Sequence, residues 1–76
     1  GVPGAQNRLA HTLYEGAGVE KNIVEAAKWR TIAKRAGVLD EELDTEFGKL
    51  SKVDRQAVDQ AVSDWADKRA VAGKAQ

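Results

Sequence analysis

The chain has 76 residues, of which 42% are apolar and 32% charged, and its 12 basic residues balance its 12 acidic ones. This size predicts one small folded domain, or a piece of a longer chain. The zero net charge argues against a nucleic-acid binder and against an anchor to an anionic membrane, and the absence of cysteine excludes a disulfide framework, a thiolate metal site and a Cys nucleophile.

Apolar residues at helical spacing predict a first helix over residues 5–15, after a flexible N-terminus over residues 1–4. Gly16 is expected to end this helix as a left-handed C-cap. Gly18 permits a second unusual backbone angle before Val19 returns to the core. The residues that form the apolar stripe are Ala5, Leu9, Ala10, Leu13 and Tyr14.

A second helix is predicted to begin at Asn22, whose side chain can cap the free amides while Glu25 reaches back to form a capping box. Gly37 is expected to end the helix, just after two basic residues that suit the negative end of the helix dipole. The predicted apolar face consists of Ile23, Ala26, Ala27, Trp29, Ile32, Ala33 and Ala36.

Two further helices complete an all-α chain, since no segment alternates with the period of a strand. A short third helix is marked by Leu39, Leu43, Phe47 and Leu50, with Gly48 fraying its last turn. Ser51 is expected to cap the fourth helix, with Asp54 in the reciprocal position, and fraying is expected from Val71 onward. The apolar face predicted for this helix consists of Val53, Ala57, Val58, Ala61, Val62, Trp65 and Ala66.

An internal echo favours a repeat, because Trp29 and Trp65 lie 36 positions apart, as do Gly37 and Gly73. The first half has a Gly-x-Gly-Val turn at residues 16–19, followed by Ala-x-x-Trp-x-x-x-Ala at residues 26–33. This pattern resembles the Sel1-like repeat, a relative of the tetratricopeptide repeat built from stacked antiparallel helix pairs. Departures are mild: Ala10, Asn22, Arg30 and Lys34 stand where the family usually has Gly, Asp, Tyr and Ala. The resemblance is carried by Ala5, Leu9, Tyr14, Gly16, Gly18, Val19, Lys21, Ala26, Trp29, Ala33 and Gly37.

This resemblance implies an α-α superhelix with one repeat over residues 5–37, a degenerate second repeat or C-terminal cap over residues 38–72, and a tail over residues 73–76. It implies a protein–protein interaction module, a scaffold or adaptor within a longer bacterial protein, that binds a protein or peptide and needs no cofactor, metal or catalysis. Two alternatives stay open: a Sel1-like hydrolase acting on β-lactam or cell-wall-related substrates, and a purely structural solenoid cap. Both the bacterial cytoplasm and the periplasm remain possible compartments.

Other candidate sites have simpler structural explanations. The two tryptophans suit binding anchors, but packing between helices is favoured. The single histidine, His11, lacks partners at a telling spacing, so an exposed helix residue is favoured over a base or ligand. The acidic run from Asp40 to Glu46 lacks the central Gly of a calcium loop and suits the first turn of a helix. The Gly16-Ala17-Gly18 segment follows no strand, so a turn is favoured over a phosphate loop.

One stripe of polar residues on the first helix is the candidate partner-binding surface. Asn7, His11 and Glu15 follow each other at intervals of four, with Arg8 beside them. In solenoids of the family that the chain resembles, the first helix of each pair lines the concave surface where partners dock. The alternative is an ordinary solvated face. If the stripe binds a partner, alanine at Asn7 and His11 should weaken capture and leave melting unchanged.

Overall fold

The structure, a computed structural model, describes residues 2–16, 18 and 22–74, with side chains as far as residue 69. This part of the chain contains four helices. They are α1 (Val2–Glu15), α2 (Ile23–Arg35), α3 (Glu41–Phe47) and α4 (Lys52–Lys74). The predicted all-α class and the number of helices are therefore confirmed for these residues.

The sharp turn between α1 and α2 forms at the predicted glycines. Gly16 has φ of 71° and Gly18 has φ of 77°, the left-handed region that glycine adopts without a Cβ penalty. The amide of Asn22 then donates to the carbonyl of Leu13 at 3.0 Å, which closes the turn and sets α1 and α2 antiparallel. Ala17, Val19 and Lys21 lie outside the described residues.

Helix ends are capped largely as their sequences predict. The side chains of Asn22 and Ser51 accept hydrogen bonds from the amides three residues later, at 3.0 and 3.2 Å. Glu25 does not complete a capping box, because its carboxylate pairs with Lys28 at 2.8 Å. Gly37, with φ of 96°, ends α2 in a Schellman motif. Its amide donates to the carbonyl of Lys34, and the amide of Val38 donates to the carbonyl of Ala33.

Helix α2 lies at the centre of the molecule and packs against α1, α3 and α4. Small residues allow α1 and α2 to approach closely, since Ala10, Ala26 and Ala33 are completely buried. Larger side chains from the other helices fill the remaining core space, with Trp29 and Trp65 partly buried against it. The buried apolar residues are Ala10, Ala26, Ala27, Ile32, Ala33, Leu43, Phe47, Val58 and Val62.

Several predicted boundaries are wrong. Helix α1 already begins at Val2, so residues 2–4 are helical, and α4 extends to Lys74 instead of fraying at Val71. Gly73 lies inside α4, whereas Gly37 ends α2, so this pair of glycines does not support an internal repeat.

Several residues of the predicted apolar faces are exposed, namely Ala5, Leu9, Ala36, Leu39, Val53, Ala57 and Ala66. Leu39 precedes α3 and is 92% exposed, because Asp40 caps that helix one residue later. Val53 is 75% exposed, on the outer side of the first turn of α4. The second half is also not a second hairpin: within the described residues α4 packs on α2, and α3 and α4 do not form a close pair like α1 and α2.

Candidate functional site

A buried guanidinium organises the polar contacts of this molecule. Arg30 lies on α2 between Ala26, Ala27 and Ala33, and only 2% of it is exposed. Its Nε and Nη2 donate to the two carboxylate oxygens of Asp44 on α3, at 2.8 and 3.3 Å. Nη2 also donates to the carbonyl of Val38 at 2.9 Å, and Nη1 to Oδ1 of Asn7 at 2.6 Å. The charge is thus paired and hydrogen-bonded, which burial of an ion requires.

The same network continues to the start of α3. Asn7 donates from Nδ2 to Oδ2 of Asp40 at 2.9 Å, and His11 Nε2 lies 2.6 Å from the same oxygen. The other oxygen of Asp40 accepts from the amide of Leu43 at 3.1 Å and so caps α3. We call Asn7, His11, Arg30, Asp40 and Asp44 the Arg30 network, because they connect α1, α2 and α3 through one continuous set of contacts.

Both carboxylic acids of the Arg30 network have a lowered pKa. For Asp40, burial pushes the pKa up, but hydrogen bonds from Asn7, the Leu43 amide and His11 together outweigh it, so the pKa lies below its ordinary value of 3.8. For Asp44, the hydrogen bonds from Arg30 lower the pKa, against the opposing effect of burial. Both carboxylates are therefore held ionised in the fold.

The predicted partner-binding stripe on α1 divides into two parts. Asn7 and His11 point toward Asp40 and contribute to the contact between α1 and α3. Arg8 is exposed, and the side chain of Glu15 is 60% exposed, with Oε1 3.8 Å from Nδ1 of His11. Because Asn7 and His11 have contacts within the fold, the expectation that alanine there leaves melting unchanged does not stand.

Tyr14 strengthens the same contact between α1 and α3. Its ring packs edge-on against Phe47, with the ring centroids 5.6 Å apart and the planes at 83°. Its hydroxyl donates to Glu46 at 3.1 Å. The face of α1 that follows Asn7, His11 and Tyr14 is therefore an internal contact surface.

His11 contributes to the contact between α1 and α3. In His11 both ring nitrogens face carboxylates, Asp40 at 2.6 Å and Glu15 at 3.8 Å. The pair with Asp40 thus serves to join α1 to α3.

Sequence reasoning missed the roles of Arg30 and Asp44. In the sequence, Arg30 stands out only as a departure from a family pattern, and Asp44 is one of several acids near a helix start. A signal for Arg30 was present, since it falls four residues after Ala26 and three before Ala33 on the buried face of α2. No local signal selects Asp44 over its neighbouring acids, because its partner is fourteen positions away.

A second feature is an open apolar groove where α1, α2 and α4 meet. Its volume is about 420 Å³, within the range of roughly 300–1,000 Å³ that ligand pockets occupy. We call it the α1/α2/α4 groove. Its apolar walls include Val2, Ile32, Ala36, Val62, Trp65 and Ala66.

Two arginines border the α1/α2/α4 groove, Arg35 at the end of α2 and Arg69 on α4. The guanidinium carbon of Arg69 lies 5.0 Å from the ring centroid of Trp65, a cation–π contact. Trp65 in turn packs edge-on against Trp29, with centroids 6.3 Å apart and planes at 78°. The tryptophan wall and one arginine are thereby held in place at the groove.

Among residues 2–16, 18 and 22–74, no group of three or more His, Cys, Asp or Glu side chains is arranged to hold a metal ion. No helix in that part of the chain combines the length and apolar character needed to cross a bilayer. Comparison of the chain with protein-family models, with curated proteins and with solved structures found no match.

Proposed function

We propose that this chain is a protein-interaction module whose α1/α2/α4 groove accepts apolar side chains of a partner protein. One observation carries the proposal: an open groove with apolar walls interrupts a surface that is otherwise rich in charge. Concave sites lined mainly by apolar side chains, with a few polar groups at the edge, are where partners and ligands preferentially bind.

The helix pair supports the same proposal at the level of architecture. Two antiparallel helices joined by a glycine turn, with completely buried alanines between them, are what a Sel1-like or tetratricopeptide-like unit is expected to contain. Helical units of that kind act by presenting surfaces to partners. The groove is favoured over the Asn7 stripe, because Asn7 and His11 already have partners inside the fold.

The proposal is tested by selecting binders from a random library of displayed peptides on the immobilised 76-residue chain. Enriched peptides are synthesised, and their affinities for the wild type and two variants are measured by calorimetry. Ala66→Glu places a charged, larger side chain in the groove, and Ala57→Glu places the same side chain on an exposed part of α4 outside it.

We expect Ala66→Glu to weaken binding of the selected peptides by roughly tenfold or more, because an apolar side chain would have to share its site with a carboxylate. Ala57→Glu should bind as the wild type does. If Ala66→Glu binds every selected peptide as well as Ala57→Glu does, the groove is not the interaction site. That outcome favours a structural role, in which α4 covers one side of α2.

A further inference from the structure

We infer that the α1/α2/α4 groove recognises one chemical class of partner: a short amphipathic helix that carries acidic residues beside its apolar face. The inference rests on the proposed interaction function and adds the chemistry of the partner. It follows from the charge at the border of the groove, the chemistry of its walls and its exposure to solvent.

The charge at the border is positive and without a carboxylate partner. Some other cations of the fold are in ion pairs, among them Lys28 with Glu25 and Lys34 with Asp44. Arg35 and Arg69 form no ion pair within the described residues, although both line the groove. Carboxylates of a bound segment could form ion pairs with both arginines, because a guanidinium group pairs with a carboxylate through two parallel hydrogen bonds.

The contact between Arg69 and Trp65 leaves the N–H donors of the arginine available. The guanidinium carbon lies 5.0 Å from the ring centroid, and no N–H group of Arg69 has a hydrogen-bond acceptor within the described residues. Arg69 is therefore held at the groove with its donors available.

The C-terminal end of α2 opposes this charge only in part. A helix C-terminus carries roughly half a negative charge. Two guanidinium groups carry about two positive charges in total, so the border of the groove stays positive.

The walls select an apolar side chain between the two arginines. Ile32, Val62 and Trp65 form the deeper part, and Ala36 and Ala66 keep the entrance open, since each has only a methyl group. Several lining residues are exposed, including Val2, which is 65% exposed. A small ligand would remain largely in water in such a site, whereas a partner protein covers the open side with its own body.

A helix fits this site better than an extended strand. A partner that binds by adding a strand to a sheet requires a free sheet edge, and helices are the only regular elements among the described residues. An amphipathic helix presents apolar anchors at intervals of three and four residues, with its flanking positions on either side of that stripe. Acidic residues at those positions would reach Arg35 on α2 and Arg69 on α4 from one bound segment.

The experiment uses the peptides selected on the wild-type chain. Their composition is determined, and peptides of about fifteen residues, long enough to form a marginal helix, are synthesised with Glu and Asp retained or replaced by Gln and Asn. Affinities are measured at low and high salt for the wild type and for the Arg35→Gln/Arg69→Gln variant. The matched control, Lys52→Gln/Lys68→Gln, removes two charges from exposed positions of α4 outside the groove.

We expect acidic residues to be enriched beside helically spaced apolar residues. Replacing them should weaken binding by roughly tenfold, and the double arginine variant should lose affinity by a similar factor and most of its salt dependence. The lysine control should keep the affinity of the wild type, and circular dichroism should show the same helix content for all variants.

Other outcomes overturn the inference in distinguishable ways. If Ala66→Glu lowers the affinity for the peptides but Arg35→Gln/Arg69→Gln does not, the proposed interaction function stands. The inference that the partner is acidic is then wrong. Peptides weakened only by Arg8→Gln would place binding on the α1 stripe. Concentration-dependent dimers of the chain alone, abolished by Ala66→Glu, would identify a second copy as the occupant of the groove.

Discussion

The guanidinium of Arg30 and the carboxylate of Asp44 form a two-pronged pair, Nε to Oδ1 at 2.8 Å and Nη2 to Oδ2 at 3.3 Å. The pair connects α2 to α3, which has only seven residues. A helix that short does not persist in water by itself. Its position therefore depends on contacts such as this pair, together with the burial of Leu43 and Phe47.

Removing Asp44 should be far more harmful than removing the whole pair. Asp44→Ala leaves the buried charge of Arg30 without its carboxylate, which should lower the free energy of unfolding by about 3 kcal/mol. In Arg30→Met/Asp44→Ala an apolar side chain of similar length occupies the buried position, so we expect most of that loss to be recovered. Urea unfolding followed by circular dichroism measures both. A double variant no more stable than Asp44→Ala would show that the pair does not act in this way.

Acid should destabilise the fold through Asp40 and Asp44. Both have a pKa below the ordinary value of 3.8 in the folded chain, Asp40 because its hydrogen bonds outweigh burial, and Asp44 because of Arg30. Their contribution to stability is therefore complete above about pH 4, and it is lost as the pH falls through the folded pKa values. Urea unfolding at several pH values below about 5 should show this decline.

Substitutions can show how much of the acid sensitivity comes from Asp40 and Asp44 and how much from the other acidic residues. Asp40→Asn/Asp44→Asn should be less stable at neutral pH but should show a shallower loss in acid, because neither side chain can then release a proton on folding. Asp59→Asn, on the exposed face of α4, should keep the steep loss of the wild type. Equal slopes in all three proteins would contradict the assignment.

Asn7 should contribute to stability through Arg30, whereas its neighbour Arg8 should not. Asn7→Ala removes the acceptor of Nη1 at a nearly fully buried guanidinium, which should lower the free energy of unfolding by about 1–2 kcal/mol. Arg8→Ala, at an exposed position one residue along the same helix, should change it by less than about 0.5 kcal/mol. Thermal melting of the two variants provides the comparison, and equal melting temperatures would contradict the role of Asn7.

Two glycines should respond to alanine in opposite directions. At Gly37 a Cβ would meet nothing within 4 Å, so the expected loss of about 1–2 kcal/mol comes from the φ of 96° alone. Gly4 also has open space around it but lies in α1, so Gly4→Ala should raise the free energy of unfolding by about 0.5 kcal/mol. Chemical denaturation of both variants measures this contrast. A stabilised Gly37→Ala chain would contradict the left-handed conformation.

The sequence was sufficient for the features that depend on near neighbours. The turn at Gly16 and Gly18, the caps at Asn22 and Ser51 and the end of α2 at Gly37 all follow from conformational preferences or hydrogen bonds within a few residues. The periodic alanines of α2 likewise predicted its buried face, because helical spacing alone places them on one side.

The features that depend on distant residues were decided by the tertiary structure. Leu39 and Val53 match the apolar spacing of their segments, yet both are exposed, because no other helix covers those positions. Asn7 and His11 look like a solvated stripe until α3 brings Asp40 to them, 33 and 29 positions away in the chain. The α1/α2/α4 groove likewise exists only because three helices meet there, and no segment by itself encodes which gap between helices stays open.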